Sequence, residues 1–323
     1  MARRPVRILS LPLLAAMIAA CSAAATPTPP PTPTPAPTQA PTAAPTPILV
    51  TITPTPTANP CDKSLLKTLT ASKLTIGTDN PAYPPYFQPP ASGNAPAPWK
   101  LGDPTNGQGF ESAVAYAVAQ KLGFAQADVA WTVVPFDNSY APGAKPFDFY
   151  LAQVSYTPER AQAVDMSDGY YFVNQSVVAL KSNPIASAKT IADLKQYKFG
   201  AQVGTTAYTT IQNVIAPTAK TSVYNTNDAA IQALKAKQID GLVVDLPTAF
   251  YITSAQLDNS VIVGQFPATQ GANAEHFSLV LAKGSSLTTC VNQAIAALKS
   301  DGTLDQITKE WLSDKASAPI FGQ

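Results

Sequence analysis

One histidine and three cysteines stand among 323 residues. Chemistries that need several imidazoles or thiolates therefore have little to draw on. His276 has no Cys or carboxylate at ligand spacing beside it, which argues against a metal site, and no cofactor is expected. Charge is scarce too: Asp, Glu, Lys and Arg make up 13%, and Lys+Arg 21 against Asp+Glu 20 leaves a net +1. No basic cluster occurs beyond residue 7, which argues against nucleic acid as a partner. A small molecule or another protein is the expected partner. Long hydrophobic runs are also missing. The apolar stretch over 8–20 is too short to span a bilayer as a permanent helix. With so few charges, those beside apolar strands become informative.

Proline is abundant and uneven. Thirteen of the 32 fall between Pro27 and Pro60, a stretch with no charged residue from Ser22 onward and with alternating Thr-Pro and Ala-Pro pairs. Such a segment cannot bury a core, and its prolines favour extended polyproline II structure. At about 3.1 Å per residue it would reach on the order of 120 Å, as a tether holding a domain off a membrane. Before it, Arg3, Arg4 and Arg7 form a basic n-region, and the apolar run ends Ile18-Ala19-Ala20-Cys21. This ending resembles the lipobox of bacterial lipoproteins, in which the Cys is lipidated and becomes the first residue. The alternative is an ordinary signal peptide with an incidental Cys21. Residues 1–20 are expected to be the signal peptide and 21–60 the disordered tether.

From Asp62 onward the composition becomes that of a globular protein, and the length allows two domains. Short apolar runs over 74–78, 131–134, 147–154, 177–180, 198–203, 222–224, 239–244, 261–263 and 277–282 read as strands. Helical spacing marks 64–70, 190–196, 207–215, 228–237, 247–253, 289–299 and 304–312. The helix opened by Gly109-Phe110-Glu111 repeats apolar residues at Phe110, Ala113, Val114, Ala117, Val118 and Leu122 until Gly123 stops it. Glu111 in its first turn complements the helix dipole, a structural role. Alternation of strands and helices implies an α/β class with largely parallel sheets.

After the strand over 147–154 comes Ser155-Tyr156-Thr157-Pro158-Glu159-Arg160. Thr157 suits an N-cap and Pro158 the first helical position, where its missing N–H costs nothing. Arg160 in the first turn adds a bidentate fork to backbone donors that favour an anion, a way to hold a carboxylate. A surface Arg paired with Glu159 or Asp165 is the plainer alternative. Asp79, Arg160, Asp245 and the turn Gly204-Thr205-Thr206 all follow the C-terminal ends of strands, where open α/β sheets bind ligands.

These residues belong to a wider pattern. It comprises Gly77-Thr78-Asp79 with Tyr83-Pro84-Pro85, Gly109-Phe110 with Leu122-Gly123, and Thr157-Pro158-Glu159-Arg160 with Ser167 and Tyr170. It continues with Gln202-Val203-Gly204-Thr205-Thr206, Asp240 with Asp245, and Asp301-Gly302-Thr303 with Trp311. In order and spacing the chain, over about 74–312, resembles the bacterial extracellular solute-binding proteins of family 3, receptors for polar amino acids that serve ABC importers. The resemblance implies a two-lobed periplasmic-binding-protein type II fold with two crossing hinge strands. Lobe 1 would span 62–172 plus 276–316, and lobe 2 would span 173–271. A free amino acid or similar zwitterion would be captured between the lobes by hinge closure and passed to the importer's permease subunits. The protein would be a monomer on the outer face of the cytoplasmic membrane or on the periplasmic side, anchored through a lipid on Cys21. Arg160 would bind the ligand α-carboxylate with help from Thr205 and Thr206, and Asp245 with Ser155 would bind the α-ammonium. Tyr83 and Phe136 would flank the side chain and Asp79 would meet its polar end.

Several positions depart from the family's pattern. Ala152 and Gln153 replace the usual small residues, so Gln153 would intrude on the pocket or add an amide contact. Ala207 replaces a polar contact, and 138–146 reads as a loop where relatives have an amphipathic helix. Trp99, in the long loop over 88–108, is either a lid residue or packed on lobe 1. Cys61 and Cys290 either form a disulfide, as the export of the domain invites, or remain separate thiols. A dehydratase-like enzyme, known on this fold, would need a catalytic set that is not visible: no Glu occurs over 174–273 and no nucleophile–His–acid constellation appears. A ligand-sensing module is the other alternative.

Overall fold

The computed structural model describes residues 59–268, 271, 274–312 and 318–322. The signal peptide, Cys21 and almost all of the tether lie outside the described residues. Among the described residues no helix is long and apolar enough to cross a membrane.

The described residues open with a single 3-10 turn, Lys63–Leu65, where the spacing suggested a longer helix, and enter β1 (Leu74–Thr78). After the proline-rich loop come α1 (Phe110–Lys121), β2 (Val129–Val133), α2 (Phe136–Ser139), β3 (Phe149–Tyr150), α3 (Pro158–Ala163) and β4 (Asp165–Met166). The short β5 (Tyr171–Phe172) leads to β6 (Gln175–Leu180), α4 (Ile191–Leu194), β7 (Phe199–Gln202), α5 (Thr206–Thr210), β8 (Ser222–Tyr224), α6 (Asn227–Lys235), β9 (Gly241–Asp245), α7 (Leu246–Tyr251) and β10 (Ser260–Gln265). The return runs through β11 (His276–Phe277) and β12 (Val280–Leu281) to α8 (Thr288–Ser300) and α9 (Thr303–Trp311).

Two five-stranded sheets result, ordered β2-β1-β3-β12-β4 and β10-β6-β9-β7-β8, joined by the antiparallel pair β5–β11. The sheets are mixed rather than largely parallel. In the first, β12 runs antiparallel to β3 and β4, and in the second β6 runs antiparallel to both β9 and β10. The reason is the hinge: the chain leaves each lobe and comes back, so the strands next to the crossing points reverse direction. The same geometry breaks the apolar run over 277–282 in two. His276 and Phe277 pair with β5 in the hinge, and Val280 and Leu281 pair in lobe 1.

Each lobe has its own core. In lobe 1, Leu74 and Ile76 pack against Phe110, Val114 and Val118 of α1 and against Val291, Ile295 and Leu298 of α8. At about 1.5–3 kcal/mol per buried large apolar side chain, this layer fixes β1 and hence the position of Asp79 at its end. A disulfide joins Cys61 to Cys290, closing a separation of 229 residues and tying the first described residues to α8. In lobe 2 the sheet is covered on both faces, by Ile185, Leu194 and Ile211 on one and by Ile231, Leu234 and Ile252 on the other. The C-terminal residues also dock on lobe 2. Gln265 N–H donates to Pro319 O at 2.7 Å, Phe321 N–H donates to Gln265 O at 3.0 Å, and the Phe321 ring meets Phe266 at 5.3 Å. They cover part of the β10 edge, which would otherwise offer unpaired backbone groups.

Trp99 is buried at 7% exposure and is not among the residues lining the cleft described below. The His276 ring stacks on Tyr156 with centroids 5.4 Å apart. Among the described residues no group of three or more His, Cys, Asp or Glu side chains could hold a metal ion.

Candidate functional site

Strand ends from both lobes open on one cleft. Asp79, Tyr83, Phe136, Gln153 and Arg160 line it from lobe 1, and Thr205, Thr206, Ala207 and Asp245 line it from lobe 2. Ser155 lies at its edge, with its hydroxyl 3.3 Å from that of Thr206 across the gap. Every non-cysteine residue singled out from the sequence for ligand contact thus sits at or beside one cavity.

Arg160 is placed by local chemistry. Thr157 caps α3, accepting the Arg160 N–H at 3.2 Å, and Pro158 occupies the first helical position. Arg160 is only 7% exposed and has no carboxylate partner within salt-bridge distance among the described residues, neither Glu159 nor Asp165. Its Nη1 donates to Ser155 O, and its Nη2 donates to Gly204 O of lobe 2 at 2.7 Å. Aromatic faces flank it, Tyr140 with its centroid 4.4 Å from Cζ and Phe136 at 5.5 Å. Burial pulls its proton affinity down, while Tyr140, Glu275 and Asp245 offset that effect. A cation held this way by neutral carbonyls keeps its charge available for an anion.

Asp245 terminates β9 opposite Gln175 of β6. Burial raises its carboxyl well above the ordinary 3.8, and the nearby Glu275 raises it further, against the bond that Gln175 Nε2 donates to it at 2.6 Å. Gln175 Nε2 also faces Glu275 Oε1 at 3.0 Å, and the Ser155 hydroxyl donates to the same oxygen at 2.7 Å. Two carboxyl groups therefore share one amide beside a single guanidinium. The Oε1 atom of Gln175 and the hydroxyl of Thr78, which lines the cleft, are buried without a hydrogen-bond partner. Asp79 follows β1 on lobe 1 and lines the same cleft. Burial raises its carboxyl also, partly countered by hydrogen bonds from the Asn80 and Phe136 backbones and the Gln202 side chain.

Glu111 does more than complement a helix dipole. It is fully buried and accepts from the Gln153 backbone N–H at 2.6 Å, from the Gln153 side-chain amide and from the Tyr170 hydroxyl. Gln153 has φ 56, a left-handed conformation uncommon for a residue with a side chain, and these bonds hold it there. Its amide is thus turned back on Glu111 while the residue still borders the cleft. Burial lifts the Glu111 carboxyl to about 7 despite those bonds.

Sequence reasoning missed Glu275, Gln175, Gln202 and Tyr140. Gln175 and Gln202 carry no strand-end charge to mark them. Glu275 directly precedes the lone histidine, and that isolated position near the hinge was the available signal. Tyr140 follows α2, a short helix in the stretch read as a loop, where the Ser139 hydroxyl bonds Phe136 O at 2.7 Å.

Comparison with known proteins agrees with this geometry. Residues 74–314 match the model for bacterial extracellular solute-binding proteins, family 3. The chain is 28% identical over 208 residues to a probable histidine-binding protein of Campylobacter jejuni, covering 63% of this chain and 76% of that one. It is 31% identical over 207 residues to the ABC transporter arginine-binding protein 1 of Escherichia coli, covering 63% and 81%. Among solved structures, an ancestral arginine-binding protein bound to glutamine is similar with a TM-score of 0.61 and 29% identity, covering 76% of this chain and 100% of that one.

Proposed function

This chain belongs to family 3 of the bacterial extracellular solute-binding proteins, and from that premise we propose that it captures an amino acid with a cationic side chain and delivers it to an ABC importer. The observation that carries the reading is the pairing of a buried Arg160 in lobe 1, with no salt-bridge partner among the described residues, and a partly buried Asp245 in lobe 2 on one cleft. A zwitterion taken out of water needs both charges met, or its desolvation exceeds the gain. Arg160 takes the α-carboxylate, with the Thr206 backbone and hydroxyl. Asp245 takes the α-ammonium, with Glu275 and Ser155. Tyr83 and Phe136 flank the side chain.

The cationic preference follows from charge. Two carboxyl groups, Asp245 and Glu275, act on one guanidinium, and a third, Asp79, lines the same cleft. A ligand bringing one carboxylate and two cationic groups balances this set better than a neutral amino acid, and an acidic one balances it worst. The ligands for which two relatives are named, histidine and arginine, support the same direction. The protein acts as a binding protein rather than an enzyme, anchored through Cys21 with residues 21–60 as its tether. Thermal-shift screening of the twenty amino acids tests the reading. L-Arginine, L-lysine or L-histidine should stabilise most; strongest stabilisation by L-glutamate or L-aspartate, or none by any amino acid, would sink it.

A further inference from the structure

We propose that Tyr140 is a positioning residue that couples lobe closure to the carboxylate anchor, acting as a latch between Arg160 and Gly204. The inference rests on Arg160 being that anchor. Three observations carry it. The Tyr140 hydroxyl, from lobe 1, donates to Gly204 O of lobe 2 at 3.0 Å. The same carbonyl accepts Arg160 Nη2 at 2.7 Å, so one lobe 2 oxygen gathers both lobe 1 donors. The Tyr140 ring lies over the guanidinium, 4.4 Å from Cζ, and meets Phe136 edge-on at 5.6 Å.

Both ends of the latch are built for it. The loop carrying Tyr140 is pinned by Lys145, a residue only 8% exposed whose ammonium donates to Asn138 O at 3.1 Å and to Ala141 O. On the other side, Gly204 has φ +71 and the Tyr140 hydroxyl stands where a Cβ would lie, 2.2 Å from it. The next Tyr140 atom is 3.6 Å away, at ordinary contact. Only a glycine lets the hydroxyl approach this closely. When the lobes close, Tyr140 thus fixes the Gly204 carbonyl, covers one face of Arg160 and turns the remaining guanidinium donors towards the cleft.

The test uses the full chain with L-arginine as probe and separates association from dissociation by stopped-flow. Tyr140→Phe keeps the ring and removes one charge-free hydrogen bond, so dissociation should quicken by about five- to tenfold with association within twofold. Gly204→Ala should weaken binding strongly in the wild-type background and less in the Tyr140→Phe background, because the colliding hydroxyl is gone. A Tyr140 that does not meet Gly204 in solution would give additive losses instead. Dissociation within twofold of wild type in Tyr140→Phe, or additive losses in the pair, overturns the latch. Arg160→Ala run alongside isolates the underlying reading: retained L-arginine binding there overturns the anchor itself. If the wild type does not bind L-arginine, small-angle scattering without ligand decides. Tyr140→Phe should then have a larger radius of gyration than wild type, and equal radii overturn the latch.

Discussion

The two lobes divide the labour of one cleft unequally. Lobe 1 brings a guanidinium, aromatic faces and a carboxyl at the end of β1: Arg160, Phe136, Tyr140, Tyr83 and Asp79. Lobe 2 brings Asp245 and a glycine-led turn whose carbonyl, hydroxyls and backbone face the gap. Lobe 1 is also the more firmly braced half at this surface. A disulfide ties its start to α8, and Glu111 holds Gln153 in a left-handed conformation beneath the cleft. On the proposed reading, the α-carboxylate and the α-ammonium of a zwitterion are met from opposite lobes, by Arg160 and Asp245. On that reading a ligand with both charges favours the closed arrangement, to which the inter-lobe bonds also contribute.

The comparison is broken most severely by removing one charge from either half. Arg160→Ala and Asp245→Ala should each weaken amino-acid binding by roughly 3–5 kcal/mol, at least a hundredfold, because the opposite ligand charge is left buried and unpaired. Isothermal titration calorimetry checks this, and an affinity within tenfold of wild type in either variant would show that the lobes are not charge partners. Replacing Cys61 and Cys290 together by alanine should cost roughly 2–5 kcal/mol of stability, read in urea unfolding, with ligand affinity nearly unchanged. A loss of affinity as large as the loss of stability would mean that the brace belongs to the site.

A pH series sharpens the same contrast. Glu111 titrates in the folded protein at about 7, above its ordinary 4.5. The folded protein therefore favours the protonated acid. Its contribution is fully present below about pH 4.5 and is lost as pH rises through about 7, on the order of 3 kcal/mol in all. Asp79 and Asp245, also raised by burial, slope the same way. Ligand-free wild type should lose more stability between pH 5 and pH 8 than Glu111→Gln does, and equal losses would remove Glu111 from the account. The smallest expected effect is at the side-chain end. Asp79→Asn should weaken L-arginine binding about tenfold while leaving L-glutamine within twofold, so that equal losses for both ligands would place Asp79 outside the specificity pocket.

Much of this was legible in the sequence because it follows from local rules. Thr157 and Pro158 announce α3 and hence the place of Arg160, and Asp79 and Asp245 are marked by the apolar strands that precede them. Gly109 and Gly123 bracket α1. What was not legible depends on residues distant in the chain. Glu111 and Gln153 are 42 positions apart, and nothing local says that one accepts the other's N–H. Glu275 reaches the Ser155 hydroxyl because the chain re-enters lobe 1 beside it, a result of hinge topology rather than of any motif. The run over 277–282 carries a strand pattern throughout, yet the crossing divides it between two sheets. Tyr140 lies after a four-residue helix too short to leave a periodic signal, and its importance comes from Gly204 of the facing lobe.

The most direct test of the central claim is a crystal structure of the chain grown with L-arginine. The expected result is one molecule in the cleft, its α-carboxylate on Arg160, its α-ammonium on Asp245 and its guanidinium directed to Asp79. A ligand bound in the reverse sense, or bound away from Arg160 and Asp245, would contradict it.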